Sequence, residues 1–379
     1  MKSRARELCD RHGYPQALSD VLEEVVALAV AHLGDVVSIV LSPSTSTGDF
    51  LWRHVGNEVE LLSDIDGFIF VSASNADVEG FASAVRRLTD EVGGSMFHVD
   101  LAPSPVRALG RLPKTYQFVE TGRAGFVLYG ESPLPRFPRT FDPRASRQAF
   151  LMNLWKPLRC GFLAPDSDAL AQAAARLLLD IPILASSERG ECLPGHRARA
   201  QWFLDERPAP LGEDEEIAAA VAAAHAARED PPGSVERLEP LLHPAIMRTV
   251  ALLDGQGPFP ADPGPAAVER LASWLPPRTP RRVFGELRSV LRRPTRPLAD
   301  LHWLRDRKEA SAGAALLGLF AYAASGPAGP PPEGIRERLS EFARRSGPGG
   351  EGLAFLRLGC ALYREGLVEL YPSFPGAGF

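Results

Sequence analysis

Three aspartates lie inside two of the most apolar segments of the chain. Their type and spacing are those that binding of metal ions requires. Asp64 and Asp66 lie two positions apart in "DIDGFIFV", and Asp100 lies in "FHVDL". A carboxylate in an apolar strand is costly unless it is paired, and two neighbouring carboxylates also repel each other. On a strand, residues two apart leave the same face. If the strands are neighbours, the three carboxylates could hold two magnesium ions about 4 Å apart for phosphoryl or nucleotidyl transfer.

A second group of polar residues lies upstream, in the turn "PSTSTGD" from Pro43 to Asp49. It follows the first apolar strand-like run. Backbone N–H groups and the hydroxyls of Ser44 and Thr45 could hold a triphosphate there, and Gly48 allows a close approach of the backbone. We therefore expect this turn to bind the anionic part of a ligand.

The elements that must position these residues are predicted from periodicity. The runs "VVSIVLS", "DIDGFIFVSA" and "SMFHVDLAP" are rich in β-branched and aromatic residues and predict strands, the last one closed by Pro103. Helical spacing predicts a helix over 18–33, with Ser19 as its N-cap and Gly34 as its end. A further helix is predicted in "ADVEGFASAVRRLTDEVGG", ended by its glycine pair. This order indicates an α+β (α/β) domain with the acidic positions on strands.

The organisation changes near residue 135, where "ESPLPRFPRTFDPRAS" carries four prolines and predicts a linker. Helical patterns follow, separated by breaks rich in proline and glycine. The sequence thus predicts an α+β domain with a mixed sheet over residues 1–135 and an all-α domain over 144–379, with a subdivision near 205–235.

Composition restricts the classes of function. The chain has 379 residues, is 45% hydrophobic and carries a net charge of −5, so it lacks the global basic field of a nucleic-acid binder. The four cysteines lie far apart without a CxxC spacing, so neither a zinc site nor a disulfide framework is expected. Without a signal-like segment or a long apolar span, we expect a cytoplasmic protein with no membrane partner.

The order of these residues resembles the nucleotidyltransferase superfamily of the DNA polymerase β type, especially its small-molecule and minimal members. That family has a strand, a glycine–serine turn, a glycine–acid pair, a strand with Asp-x-Asp and a later strand with a third aspartate. The resemblance covers roughly residues 20–205. It assigns the positions of the serine, the glycine–acid pair, the metal pair and the third carboxylate, in that order, to Ser44, Gly48 and Asp49, Asp64 and Asp66, and Asp100.

The resemblance implies a magnesium-dependent transfer of NMP from an NTP, with ATP as the first choice, to a hydroxyl of a small molecule, with release of pyrophosphate. Two Mg²⁺ ions, for which Mn²⁺ could substitute, would be held by the three aspartates. Lys114, Lys156 and Arg199 are the basic candidates for phosphate contact. Glu188 and Glu191 lie in a candidate loop facing the acceptor, and Asp100 is an alternative general base. Antibiotics and intermediates of specialised metabolism are the acceptors that such enzymes modify.

Two residues depart from the pattern of the family. Pro43 stands where the first glycine is usual and removes one backbone N–H, and Gly67 follows the second aspartate where a bulky apolar residue is usual. Two alternatives therefore stay open. Beside the transfer to a small molecule, one alternative is a nucleotide-binding or interaction protein that has lost turnover, and the other is a nucleotidyltransferase that acts on protein or tRNA.

Overall fold

The structure is a computed structural model, and it describes residues 3–72, 77–92, 97–158, 168–229, 235–255 and 257. The chain divides into two compact units. The first contains the described residues up to Pro143 together with Ser186–Asp205, and the second contains Arg144–Ala185 and the described residues from Glu206 onwards. The predicted helices beyond residue 257 lie outside the described residues.

The centre of the first unit is a four-stranded mixed sheet, accompanied by a separate hairpin. The strands are β1 (Val36–Leu41), β2 (Trp52–Val55), β3 (Glu58–Leu61), β4 (Ile65–Val71), β5 (Val99–Pro105) and β6 (Phe126–Gly130). The order in the sheet is β5-β4-β1-β6, and β2 pairs with β3 in the hairpin. Strand β4 pairs in parallel with β5 and antiparallel with β1, and β1 pairs antiparallel with β6. The predicted α/β region with a mixed sheet is confirmed.

Among the described residues of the first unit, helices form in both segments where the sequence predicts them, and also in segments where it predicts none. They are α1 (Ala5–His12), α2 (Gln16–Leu33), the single turn α3 (Pro43–Ser46), α4 (Val78–Val92) and α5 (Tyr116–Ala124). Side chains of α1, α2 and α4 pack with Ile39, Leu41, Ile65 and Ile69 in one buried core on one face of the sheet. The opposite face carries a group of aromatic rings with centroids 5.0–6.4 Å apart: Phe68, Phe70, Phe118 and Phe137. Asp66 shares the parity of Phe68 and Phe70, so it lies on this second face.

Strand pairing brings four chain segments to one end of the sheet. Leu41, the last residue of β1, pairs with Gly67 near the start of β4 and with Phe126 at the start of β6. Ile65, the first residue of β4, pairs with Val99, the first residue of β5. The end of β1 and the starts of β4, β5 and β6 therefore meet at the same end, where the turn after β1 and the aspartates also lie.

Two predicted boundaries differ from the structure. Helix α2 begins at Gln16, after Pro15, and Ser19 lies inside it, 1% exposed and without a capping bond, so the predicted N-cap is wrong. Gly34 ends the helix as predicted, with φ of 72°. Strand β5 continues through Pro103 to Pro105 instead of ending there. Because β5 is an edge strand, one of its sides makes no ladder bonds and a proline without N–H is tolerated.

The helices after the sheet are α6 (Pro143–Asn153), α7 (Asp168–Leu178), α8 (Ile181–Glu188), α9 (His196–Glu206), α10 (Glu215–Glu229) and α11 (Val235–Asp254). Most of α9 belongs to the first unit, although the sequence places it in the helical domain. Within the second unit, α7, α10 and α11 pack together. Among the described residues, the stretch Leu170–Glu188 has the length and mean hydropathy (1.2) of a candidate membrane span, and 78% of it is buried inside the protein.

Candidate active site

The structure brings Asp66 and Asp100 together as partners on adjacent strands. They stand opposite each other in the parallel register of β4 and β5, and such strands are about 4.8 Å apart. Asp64 lies immediately before β4, at the same end of the sheet. Within the ranges that the structure describes, no group of three or more His, Cys, Asp or Glu side chains is gathered closely enough to hold a metal ion. The backbone is thus arranged for converging carboxylates, while the side chains make other contacts.

One of these contacts is made by His98, just before β5. Its Nδ1 lies 2.8 Å from Asp64 Oδ1, and its side chain is 54% exposed. Burial acts to lower the pKa of His98, but the hydrogen bond to Asp64 and the negative charges of Asp64, Asp66 and Asp100 outweigh it, so the pKa is raised. One imidazole therefore lies within electrostatic reach of all three carboxylates. In the sequence, His98 stands two positions before Asp100 and so shares its parity, which is the signal that could have indicated this contact.

The turn after β1 is tied directly to the strand of the aspartates. The backbone N–H of Ser42 donates to the carbonyl oxygen of Asp66 at 2.8 Å. Pro43 is the first residue of α3, with Ser42 in extended conformation before it. A proline at this position interrupts no intrahelical bond, because the first N–H groups of a helix have no partner within it.

Three hydroxyl-bearing residues, one directly before this turn and two inside it, have buried hydroxyl oxygens that make no hydrogen bond. Oγ of Ser42, Oγ of Ser44 and Oγ1 of Thr45 are buried without a hydrogen-bond partner. Thr45 is fully buried, while Ser44 is only half-buried as a residue. Buried polar atoms without partners are rare, and a missing water, ion or ligand is a common reason for them. Of the three residues, Ser44 is the most exposed, and Ser42 is hydrogen-bonded through its backbone N–H to Asp66.

Tyr14 is hydrogen-bonded to the turn, although the sequence did not indicate that this residue belongs to the site. Its hydroxyl donates to the carbonyl oxygen of Thr45 at 2.9 Å and accepts from the backbone N–H of Phe50 at 3.3 Å. Burial raises the pKa of Tyr14 to about 12, so the hydroxyl stays protonated and can donate at neutral pH. Nothing in the local pattern around Tyr14 indicated this contact, because its partners lie more than thirty residues away.

The two glycines of the motif are required by backbone geometry. Gly48 has φ of 91°, in the left-handed region, and a Cβ there would lie 3.2 Å from Nδ1 of His12. Gly67 would place a Cβ against the carbonyl oxygen of Val40 and 2.8 Å from Cδ2 of Leu101. The close approach of β1 and β5 to β4 therefore leaves room only for a glycine at position 67.

Asp49, predicted to belong to the ligand-binding turn, is 7% exposed and contacts the beginning of α9. Its Oδ2 accepts from the backbone N–H of His196 at 2.5 Å and from that of Arg197 at 3.4 Å. The Thr47 hydroxyl lies 3.4 Å from the same oxygen. This carboxylate therefore binds protein amides at the N-terminus of a helix.

Arg199 is also engaged with protein groups. It is 2% exposed, and its guanidinium pairs with the carboxylate of Glu120 and donates to the carbonyl oxygen of Leu193 at 3.0 Å. Glu120 also accepts from the backbone N–H of Gly195 at 2.9 Å. Arg199 thus holds α9 against α5, and its assignment to phosphate contact stays a prediction.

The other two residues predicted to contact phosphate are Lys114 and Lys156. Lys114 is exposed and precedes α5, whose opposite end, at Ala124, accepts a hydrogen bond from the Ser46 hydroxyl at 2.5 Å. Nine helical residues separate the two points, a length of about 13 Å. Lys156 belongs to the second unit. Phosphate contact by either lysine stays a prediction.

Comparison with known proteins adds no assignment: no protein-family model, no curated protein and no solved structure matches this chain. The carboxylates and hydroxyls at this end of the sheet are therefore the features that indicate a function. Carboxylate oxygens are the ligands that Mg²⁺ takes in proteins. The residues that could hold Mg²⁺ here are Asp66, Asp100 and the nearby Asp64, whose side chains would have to come closer together, and the hydroxyls of Ser42 and Ser44 could bind an anionic ligand.

Proposed function

We propose that the chain is a magnesium-dependent nucleotidyltransferase, with a nucleotidyltransferase-like first domain followed by an all-helical one. It would transfer NMP from an NTP, with ATP as the first choice, to a hydroxyl of a small molecule in the cytoplasm. The observation that carries the proposal is the pairing of Asp66 with Asp100 on parallel strands, next to a hydroxyl-bearing turn hydrogen-bonded to Asp66 itself. The aspartates and the hydroxyl-bearing turn, which are separate features of the sequence, therefore lie at one end of the same sheet.

In the reaction, the acceptor oxygen forms a bond to the α-phosphorus while the bond from that phosphorus to the pyrophosphate oxygen breaks. Mg²⁺ held by Asp64, Asp66 and Asp100 would neutralise the charge of the phosphates. The hydroxyls of Ser42 and Ser44 would donate to phosphate oxygens, and the proton of the acceptor would pass to a carboxylate such as Asp100. Glu188 and Glu191 are exposed in a segment assigned to the same unit as the turn, which supports a role near the acceptor.

The experiment is Mg²⁺-dependent release of pyrophosphate from ATP, CTP, GTP and UTP in the presence of hydroxyl-bearing small molecules. We expect release with the wild type and none with Asp66→Asn. The matched control is Asp20→Asn, an exposed aspartate on α2. Release by Asp66→Asn at the wild-type rate would refute the proposal. The mass of the modified acceptor separates a small molecule from protein or tRNA.

The second candidate is a nucleotide-binding protein without turnover, and Pro43 is the residue that favours it. It would show a Mg²⁺-dependent thermal shift with an NTP and no pyrophosphate release with any acceptor. At the start of α3 the missing N–H of Pro43 costs no intrahelical bond, so the turn forms with proline in place, although one backbone donor for phosphate is absent.

A further inference from the structure

The carboxylate of Asp49 acts as the cap of a helix that lies far away in the chain. It accepts the backbone N–H groups of His196 and Arg197, the first two residues of α9, from a position 147 residues earlier in the sequence than His196. These N–H groups have no partner inside the helix, and negative charge at a helix N-terminus is stabilised by the helix dipole. Asp49 is thus bound to α9 by both hydrogen bonding and charge.

The fit at this junction leaves no free space. Gly195, directly before α9, has φ of 86°, and a Cβ at this position would lie 2.6 Å from Asp49 Oδ2 and 2.8 Å from Thr47 Oγ1. The N–H of Gly195 is bound to Glu120 of α5. Only glycine allows the backbone to come this close to the carboxylate.

The turn Pro43–Asp49 is therefore held at both ends. At its start, the N–H of Ser42 binds the carbonyl oxygen of Asp66, and at its end Asp49 binds α9. The hydroxyls of Ser42 and Ser44 lie at the start of this doubly fixed segment. A carboxylate already bound to two amides is also poorly suited to contact a triphosphate, because like charges repel.

We propose that Asp49 is a positioning residue, which fixes the nucleotide-binding turn against α9 and does not itself contact the nucleotide. The inference rests on the proposed function of this turn. It makes the segment Ser186–Asp205 part of the nucleotide site through Asp49. Loss of the cap is expected to weaken binding of the triphosphate without removing any group that touches it.

The test is calorimetric titration of MgATP into the full chain. We expect Asp49→Ala to weaken binding about tenfold and Asp49→Asn, which keeps an acceptor oxygen for the amides, to weaken it less than about threefold. Asp214→Ala is the matched control, since Asp214 accepts the N–H groups of Glu216 and Ile217 at the start of α10 in the second unit. It removes a helix cap of the same kind, and its MgATP affinity is expected to equal that of the wild type.

A second pair of variants moves Asp49 without replacing it. Gly195→Ala introduces both backbone strain and a collision with Asp49, whereas Gly190→Ala, at φ of 71° with no atom within 4 Å, introduces the strain alone. We expect Gly195→Ala to weaken MgATP binding as Asp49→Ala does, and Gly190→Ala to leave it unchanged. Equal affinities for the two glycine variants would contradict the proposal.

Hydrogen exchange separates this proposal from the proposed function. In Asp49→Ala the amides of His196 and Arg197 should exchange faster, with or without nucleotide. Unchanged exchange would show that Asp49 is not the cap, and faster exchange with wild-type MgATP affinity would show that the cap does not position the turn. A wild type that does not bind MgATP would overturn the proposed function and the nucleotide part of this proposal, while exchange would still decide on the cap.

Discussion

Asp66 and Asp100 are direct partners in the parallel register of β4 and β5, although 34 positions separate them in the sequence. Residues directly opposite each other on paired strands point to the same face of the sheet, so both carboxylates lie on the face that also carries Phe68 and Phe70. Antiparallel pairing of the same strands would have placed β5 with its other end at the turn. The direction of β5 is therefore what makes a shared site possible.

The first prediction concerns this pair. Asp66→Asn and Asp100→Asn remove a charge from a crowded acidic site, so the melting temperature without ligand should be unchanged or higher. The wild type with Mg²⁺ and ATP at 100 times the dissociation constant should gain about 2.7 kcal/mol of stability, and the variants should lose most of this gain. Thermal unfolding with and without Mg²⁺ measures both effects. If either variant shows the full rise in melting temperature with Mg²⁺ and ATP, its carboxylate does not take part in binding the ligand.

The second prediction compares two serines of the same turn. Ser44→Ala removes a buried hydroxyl that has no partner, so stability should change by less than about 0.5 kcal/mol while MgATP binding weakens. Ser46→Ala removes the hydrogen bond to the carbonyl of Ala124 and should lower the free energy of unfolding by about 1 kcal/mol. Denaturant unfolding and calorimetry separate the two effects. The opposite pattern would place the ligand at Ser46.

The third prediction concerns Pro43, which presets the start of α3. Pro43→Gly should lower stability by about 0.4–1 kcal/mol because glycine increases the conformational freedom of the unfolded chain. Turnover should fall, since the turn is held less precisely. Rates of pyrophosphate release for wild type and variant check this. Turnover that appears only in Pro43→Gly would indicate that the wild type is an inactive relative.

The fourth prediction concerns Gly67 beside Asp66. Gly67→Ala would push a methyl group into the backbone of β1 and against Leu101, and should lower the free energy of unfolding by about 1–3 kcal/mol. Gly110→Ala is the control, because no atom lies within 4 Å of its Cβ position. Equal melting temperatures for the two variants would contradict the close packing of β1, β4 and β5.

The fifth prediction concerns pH and the second unit. Asp214 Oδ2 accepts from Nε and Nη2 of Arg248 at 2.8 and 2.6 Å. Burial acts to raise the pKa of Asp214, but Arg248 and the amides of α10 outweigh it, so the pKa is lowered. The stability from this carboxylate is therefore present above its ordinary pKa of about 3.9 and is lost as pH falls through the lowered value.

Unfolding between pH 6 and pH 2 measures this contribution. Asp214→Ala should lower the free energy of unfolding by about 0.5–2 kcal/mol at pH 6, through loss of the cap of α10. The difference from the wild type should shrink at the acidic end of the range. A difference that is constant across this range would show that the charge of Asp214 does not contribute.

Local pattern was enough to predict the strands and helices around the aspartates, because β-branched runs and helical spacing are properties of neighbouring residues. It also predicted that Asp66 and Asp100 would converge if their strands were neighbours, a condition that the pairing of β4 with β5 meets. The contacts of Asp49 with His196, of Arg199 with Glu120 and of Tyr14 with Thr45 were not predictable. Each joins residues 31 to 147 positions apart, and such contacts are decided by packing of the whole unit.

The cap of α9 has a consequence for synthesis of the chain on the ribosome. The turn that ends at Asp49 is complete early, but its partner amide at His196 is added 147 residues later. At about 5–20 residues per second, the delay is on the order of ten seconds. During this time the carboxylate of Asp49 lacks the helix amides that it binds in the complete first unit. A fragment that ends at the proline-rich segment would remain in that state permanently.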